Sequence, residues 1–306
     1  MIVFKHVPFW FLLKLNQKYL VYVFALSGLT YWLSSVLHIE NPTILLPSMT
    51  VFGTVLSLFL AFRTNEAYNR WWEARILWGS MVNSSRSWAR EVLAYINTIN
   101  TQLDEEGLEK VQKSLIYRHL AFINAVRIHL RQQNTYSEEL HPFLSDRELD
   151  LLDSYRNVPT QIINNQSQEL RKIYKSDKVN GFEYVQMNNT LNALYDIQGG
   201  CERIKTTVFP RLYAYYTTAF TWVFSTVLIL SLVDEFEWQT MAIRVIVAYV
   251  FLVLNELGVQ LKNPFENNNS DTPMSSLCRT IEIDLKQMLG ETNLPEPIKP
   301  VKGVLN

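Results

Sequence analysis

Residues Thr50–Arg75 read TVFGTVLSLFLAFRTNEAYNRWWEAR, and this stretch decides the fold. Its first half, as far as Phe62, is uncharged and apolar enough to dissolve in lipid. Its second half carries charged residues at helical spacing: Arg63, Glu66, Arg70 and Glu73. Nothing interrupts the helical pattern between the two halves, so we expect one helix that leaves a membrane and continues into water.

Composition excludes several classes of protein. The chain has 306 residues with 28 basic and 29 acidic side chains, and this near-neutral balance gives no reason to expect a nucleic-acid partner. Cys201 and Cys278 lie far apart, without the spacing of a disulfide framework or a zinc site, and we expect reduced cytosolic thiols. We expect no metal site and no cofactor.

Four segments have the length of a membrane-spanning helix, which needs about 20 largely apolar residues. We predict spans over residues 19–37, 42–62, 211–233 and 240–258. The fourth contains Arg244 and Glu256, whose charges must be shielded by protein or water, or lie near an interface. The alternative is a buried helix pair in a large soluble fold, which the three uncharged runs disfavour.

Basic residues predict the orientation of these spans. The links at 38–42 and 234–239 contain no Lys or Arg. Basic residues stand on the other side: Lys14, Lys18, Arg63, Arg70, Arg203, Lys205, Arg211 and Lys262. The positive-inside rule therefore predicts cytosolic termini and a cytosolic middle segment.

The middle of the chain reads as helices. Helical periodicity runs over Thr64–Ile99 and Glu105–Arg131, and a further helix is predicted over Gly181–Thr207. Ser145 and Glu148 have capping-box spacing, and Pro159 ends one helix or starts the next.

The chain therefore divides into six predicted segments. They are an interfacial segment 1–18, a transmembrane hairpin 19–62, a cytosolic helical domain 63–209, a second transmembrane hairpin 210–258, a cytosolic helical segment 259–290 and a proline-containing tail 291–306. We expect that tail to be disordered or laid on the surface.

Enzyme chemistry has no visible motif in this sequence. No glycine-rich phosphate loop, HExxH, GxSxG or EF-hand pattern occurs. The histidines are scattered without ligand spacing: His6, His38, His119, His129 and His141. A secondary transporter would call for internal repeats or broken helices, and apart from Pro47 and Gly53 in the second span the sequence offers neither. We expect a protein that is not an enzyme.

The charged half of the opening stretch predicts a ladder of ion pairs. Arg63, Glu66, Arg70 and Glu73 are three or four residues apart and can pair along one helical side. Exposed pairs of this kind contribute about 0.3–0.5 kcal/mol each. The simplest interpretation is a solvated face, with the adjacent tryptophans Trp71–Trp72 docked on neighbouring helices.

Four motifs, in order along the chain, resemble those of the bestrophins and their bacterial relatives. They are FRTNEAYNRWWEAR at 62–75, GGCERI at 199–204, NPFENNNSDTP at 263–273 and SSLCRTIEIDLKQMLGE at 275–291. The resemblance covers the chain to about Gly290. It implies an all-α membrane protein that assembles as a homopentamer, with four spans per subunit and one ion pore lined by the second spans.

The same resemblance places the narrow neck of the pore on Thr54, Leu58 and Phe62. Successive positions rise by about 6 Å, so five copies would form three stacked rings. Thr54 departs from the bulkier apolar preference of the family. An uncharged neck excludes water and favours large, weakly hydrated ions, but it does not choose the sign of the charge. The alternative is that Leu58 and Phe62 pack against the first or third span.

Charges outside the neck must choose that sign. Glu40, Asp234, Glu235 and Glu237 in the outer links would attract cations, whereas Arg244 would attract anions. Members of the family are best known for carrying chloride and other anions, so we expect an anion channel. A monovalent cation channel of the same architecture stays open.

A second constriction is implied at the cytosolic end of the pore. The matching residue is Phe182, with Val179 close by. Five copies of Phe182 would form a hydrophobic aperture, and the alternative is an ordinary contact at a helix start.

Calcium activation is not expected. Animal bestrophins hold calcium partly through an acidic run after the fourth span, and here that run is ENNNSD, whose acids are Glu266 and Asp271. Hard cations need several oxygen ligands, usually with carboxylates among them.

The sequence thus predicts a passive, homopentameric ion channel for small monovalent ions. Its partners would be copies of itself, the lipid bilayer and the permeant ions. A membrane-anchored helical scaffold or sensor stays open as an alternative of another class, because such a protein would need no aligned apolar rings.

Overall fold

The computed structural model describes residues 1–4, 8–37, 45–96, 105–152, 154–207, 210–230 and 238–306. These residues form α1 (Phe9–Leu15), α2 (Gln17–Leu37), α3 (Leu45–Tyr95), α4 (Glu105–Arg131), α5 (Tyr136–Leu140), α6 (Asp146–Leu152), α7 (Val158–Lys175), α8 (Gly181–Thr206), α9 (Arg211–Leu230), α10 (Trp238–Leu261) and α11 (Met274–Met288). Within these ranges extended pairing is confined to isolated bridges. The expected all-α fold is therefore what the structure shows.

Helix α3 joins the two halves of the opening stretch. It is one helix of 51 residues from Leu45 to Tyr95, and it contains both the apolar run and the charged run. Its length corresponds to about 75 Å at 1.5 Å per residue. The expected uninterrupted helix is confirmed as far as Tyr95, and residues 97–99 of the predicted range lie outside the described residues.

The chain divides into two compact units, and α3 contributes to both. Residues 4–71 and 208–263 form one of them, here called the apolar unit. Inside it, Tyr19 and Val23 of α2 pack with Ile229 of α9 and with Val245, Ala248 and Leu252 of α10. Leu56 and Leu60 of α3 pack on Phe224 of α9.

Helices α3 and α9 approach each other closely at this second contact. A Cβ atom added to Gly53 of α3 would lie 3.0 Å from Cζ of Phe224. The absence of a side chain at Gly53 therefore lets the aromatic ring of α9 sit against the α3 backbone.

One helix of the apolar unit is long enough and apolar enough to cross a membrane. Within the described ranges this is Ala242–Leu261, 20 residues with a mean hydropathy of 1.9. Helices α2 and α9 have 21 and 20 residues and contain many aromatic and hydroxyl side chains. The hydroxyls of Thr30, Thr217, Thr221 and Thr226 all donate to the carbonyl four residues earlier in their own helix. This satisfies the hydroxyl inside the helix, as an apolar environment requires.

The second unit, here called the amphipathic unit, consists of residues 1–3, 72–207 and 264–306. Helices α4, α7, α8 and α11 bury one face each around a common core. The largest buried side chains include Trp78 and Trp88 of α3, both fully buried. Trp72, expected with Trp71 to dock on neighbouring helices, is 49% exposed in the single chain, and the buried stripe of α3 passes through Trp78 and Trp88.

Helix ends follow local sequence signals with one exception. Helix α4 has the bounds that periodicity predicts, and Pro159 lies in the first turn of α7 behind the cap Asn157. Helix α6 begins directly after Ser145, as expected. The carboxylate of Glu148, however, accepts from Arg118 Nε at 3.0 Å, so this side chain is drawn to a partner on α4.

The tail is ordered and pairs with the other end of the chain. Ile2 and Val304 form an antiparallel bridge, and the amide of Leu305 donates to the carbonyl of Met1 at 2.8 Å. Of the two expectations for residues 291–306, the disordered one is wrong and the surface-laid one agrees with the structure, where Val301 is 73% exposed.

Both cysteines are free and lie in the core of the amphipathic unit. Burial raises the pKa of the Cys201 thiol to about 12, and burial likewise raises the pKa of Cys278 to about 12. Both thiols are therefore protonated near neutral pH and chemically inert.

The contact at Gly53 generates a stability prediction. Gly53→Ala forces Phe224 to move, and we expect the protein to lose about 1–3 kcal/mol of unfolding free energy. The matched control is Gly28→Ala in α2, because a Cβ atom there meets nothing within 4 Å. That change should leave stability equal or slightly higher, since alanine favours helix. Thermal unfolding of the detergent-solubilised variants measures the difference, and equal effects would contradict the role of Gly53.

A second prediction concerns pH. Burial lowers the pKa of His119 from 6.5 to about 3. Between these values the unfolded chain binds a proton that the folded chain does not, so the free energy of unfolding falls as pH drops. The free energy of unfolding falls by about 1.2 kcal/mol between pH 6 and pH 5, and the slope approaches about 1.4 kcal/mol per pH unit below that.

The measurement is chemical denaturation at several pH values between 7 and 5. His119→Leu should remove this part of the slope, whereas His141→Gln, at an exposed histidine, should retain it. An unchanged slope in His119→Leu would show that other groups cause the dependence.

Candidate pore-lining face of helix α3

The buried and exposed residues of α3 lie on opposite sides of the helix. Within the apolar unit the buried side chains recur every three or four residues: Leu56, Leu60, Arg63 and Ala67. This spacing places them on one helical face. The chain leaves the opposite face of α3 uncovered.

The three expected neck residues lie on that uncovered face. Leu58 is 55% exposed and Phe62 is 58% exposed, so the single chain leaves more than half of each side chain uncovered, which disfavours the alternative of packing against the first or third span. Thr54 is exposed as well, and its hydroxyl donates to the carbonyl of Thr50 at 2.9 Å. Because this hydrogen bond uses the hydroxyl proton inside the helix, Thr54 is less polar than its type suggests.

Arg63, directly after Phe62, turns to the buried side of α3. Its guanidinium donates to Oγ1 of Thr218 on α9 at 2.9 Å and to Oδ1 of Asn255 on α10 at 2.6 Å. The aliphatic stem of Arg63 lies beside Gly258, where an added Cβ atom would be 3.6 Å from Cγ. A single buried cation therefore connects three helices of the apolar unit.

The residues at the two ends of the expected ladder of ion pairs, Arg63 and Glu73, have partners outside α3. Arg63 bonds to Thr218 and Asn255, and Glu73 forms an ion pair with Arg203 of α8. For Arg63 the uncharged acceptors on α9 and α10 satisfy a guanidinium that is buried. The Glu73–Arg203 pair is exposed, so water screens it as it would screen a pair along one helix.

The charges in the fourth expected span have different surroundings. Glu256 of α10 accepts from Tyr19 and forms an ion pair with Lys18 at 3.3 Å. Arg244 is buried within the chain at 9% exposure, so it does not project from the single chain as an entrance charge would. The acids expected at the outer entrance lie outside the described residues: Glu40, Asp234, Glu235 and Glu237.

The two residues expected at the cytosolic aperture, Phe182 and Val179, differ in solvent exposure. Phe182 lies in the first turn of α8 and is 91% exposed, so the alternative of a packed helix-start contact is wrong. Asn180 caps this helix, accepting from the amides of Phe182 and Glu183 at 2.9 Å. Val179 is buried at 2% exposure in the core, so this residue does not line an aperture.

The acids of the ENNNSD run have partners within the chain. Glu266 forms an ion pair with Lys205 at 2.8 Å. Asp271 is buried, and its Oδ2 accepts from the amide of Asn268 at 3.0 Å. Burial raises the pKa of Asp271, since the ionised carboxylate loses solvation there.

With this geometry, comparison with known proteins identifies the family. The family model described as bacterial/fungal bestrophin protein matches residues 13–287. The chain belongs to the bacterial and fungal bestrophin family. Bestrophin membership makes it a membrane protein, and it confirms the resemblance that the four motifs indicated.

Individual relatives match this chain over most of its length. The voltage-dependent anion channel-forming protein YneE of Salmonella typhimurium is 31% identical over 257 residues, which cover 84% of this chain and 81% of that protein. The voltage-dependent anion channel-forming protein sll1024 of Synechocystis is 28% identical over 235 residues, 77% of this chain and 75% of that protein. A crystal structure of a bacterial bestrophin homolog from Klebsiella pneumoniae superposes with a TM-score of 0.79, at 24% identity over 90% of this chain and 98% of that one.

Sequence reasoning missed Thr218 and Asn255, the partners of Arg63. Both lie in long apolar runs, where a polar side chain is a signal of a specific partner. The sequence does not show which partner, because Asn255 is 192 residues from Arg63 along the chain.

The Arg63 contact generates a prediction for stability. Asn255→Leu leaves a buried guanidinium with one partner fewer, and we expect a loss of about 3 kcal/mol of unfolding free energy. Arg63→Met combined with Asn255→Leu should cost less than the sum of the two single changes, because no buried charge remains to be satisfied. Unfolding in detergent measures this cycle, and strict additivity would contradict the coupling.

Proposed function

We propose that this bestrophin forms a homopentameric channel through which small monovalent anions, chloride among them, pass passively across the membrane. One observation carries the proposal: Leu58 and Phe62 stand on an uncovered face of a helix whose other face is buried. Large apolar side chains in such a row need a partner surface, and copies of the same chain around a shared axis supply it.

The neck of this channel consists of Thr54, Leu58 and Phe62 from each subunit. Each ring lies about 6 Å from the next along the helix axis. The internal hydrogen bond of Thr54 gives the outermost ring a mainly apolar character. Such a neck conducts when it is wide enough to stay wet, and it favours ions that lose water easily.

Anion selectivity is proposed on two grounds. The relatives from Salmonella typhimurium and Synechocystis carry names that describe anion channel-forming proteins. The neck itself, from Thr54 to Phe62, contains no acid that would repel an anion, and the first exposed acid after it on α3 is Glu66.

The proposed topology has four spans, at α2, the first part of α3, α9 and α10. Their lengths support it, since 20 to 24 residues are sufficient to cross the hydrocarbon core. Both termini and residues 63–209 would be cytosolic in a bacterial inner membrane, with residues 1–18 at the interface.

The cytosolic exit of the pore is proposed at Phe182. Five phenylalanines, each as exposed in the single chain as this one, would form a second hydrophobic ring. Activation by calcium is not part of the proposal, because Lys205 and the Asn268 amide engage the two acids of the ENNNSD run. No catalytic centre or cofactor takes part.

A membrane-anchored scaffold or sensor is the competing class, and the neck residues distinguish it from a channel. In a channel, Leu58→Ala and Phe62→Ala widen the neck, and we expect currents to rise by at least about tenfold in the double variant. The matched control is Leu60→Ala, because Leu60 is 2% exposed and packs on Phe224. That change should lower stability without raising the current.

Purified protein in planar bilayers with asymmetric KCl provides the measurement. The sign of the reversal potential distinguishes anion from cation selectivity, and native mass measurement gives the number of subunits. Silence of well-folded protein, or a mass of one subunit, would contradict the proposed function.

A further inference from the structure

The uncovered face of α3 continues beyond the neck with two carboxamides. Asn65 follows Phe62 by three residues, and Asn69 follows Asn65 by four. At 100° per residue both lie within about 20° of the direction of Leu58 around the helix. Both are exposed. Within the apolar unit, the uncovered face of α3 therefore carries apolar side chains first and two amide side chains at its C-terminal end.

Neither amide is used by the chain itself. Within the residues that the structure describes, the side chains of Asn65 and Asn69 have no hydrogen-bond partner, whereas Asn255 on α10 is engaged by Arg63. Each exposed carboxamide thus retains two N–H donors and one carbonyl acceptor for a ligand.

The charged side chains of α3 that lie nearest to Asn65 along the chain are Arg63 and Glu66. Arg63 is buried against Thr218 and Asn255, on the opposite side of the helix. Glu66 is exposed and lies about 100° from Asn65, but about 60° from Asn69, around the axis. A neutral amide is therefore the first polar group that this face presents after Phe62.

An anion that leaves an apolar neck has lost part of its hydration shell. Amide N–H groups can replace the lost water by donating hydrogen bonds, without the full charge that would hold the ion too tightly to release it. We propose that Asn65 and Asn69 of each subunit form a carboxamide binding site for the permeating anion at the inner end of the neck. This inference rests on the proposed function and adds the residues that rehydrate and select the ion.

The test uses the full-length protein in planar bilayers, with chloride and thiocyanate as probe ions. In Asn65→Leu combined with Asn69→Leu, two turns of the polar face become apolar. We expect chloride conductance to fall by at least about threefold, because the hydrogen bonds to the ion are lost. The permeability of thiocyanate relative to chloride should rise, since the weakly hydrated ion needs those bonds less.

Conservative variants separate this role from a structural one. Asn65→Gln with Asn69→Gln keeps the donors and should restore most of the chloride conductance. Asn65→Asp with Asn69→Asp replaces donors by carboxylates and should abolish chloride current. The control is Asn164→Leu, at an exposed amide on α7, which should conduct like the unaltered protein. Subunit number is measured for every variant, and Asn→Ser replaces Asn→Leu if assembly is lost.

The outcomes distinguish the two levels of inference. Silence of the unaltered protein would overturn the proposed function, and this inference with it. If the leucine and aspartate variants both conduct anions like the unaltered protein, the carboxamide site alone is overturned. A cation-selective current in the unaltered protein would overturn both the proposed anion selectivity and the carboxamide site, because the donors would then face the wrong ion.

Discussion

The rotation of α3 about its own axis is the constraint on which the rest of the structure depends. Two contacts fix it within the apolar unit: the α3 backbone at Gly53 lies against Phe224, and Arg63 reaches Thr218 and Asn255. One contact is a steric fit and the other is a charged hydrogen-bond set, and both act on the same helical face. Once that face is held, the direction of every other α3 side chain in the unit follows from 3.6 residues per turn.

Several polar groups in this unit have partners within an apolar setting. Threonine hydroxyls bond back to their own helices, and Glu256 is satisfied by Lys18 and Tyr19. Arg63 stands where the apolar run of α3 ends and bonds to uncharged acceptors. A guanidinium suits this position, because its fixed array of donors can serve two helices at once.

Features that depend on local sequence were predictable, and those that depend on distant partners were not. The bounds of α4 and the uninterrupted α3 follow from periodicity, and Pro159 falls where a first-turn proline is tolerated. The family was recognisable because its motifs are long and ordered along the chain. The ladder of ion pairs failed at Arg63 and Glu73 because their partners lie 130 residues or more away. Val179 and Phe182 are three residues apart, yet only packing shows that one is buried and the other exposed.

The two native thiols have a practical consequence for work on the permeation path. Cys201 and Cys278 are buried, and burial raises the pKa of each to about 12, so neither presents a thiolate to a water-soluble reagent. Methanethiosulfonate labelling can thus begin from the natural sequence, without a cysteine-free background that would disturb the core. A scan of single cysteines along α3 would then report access to each turn of the helix while current is recorded.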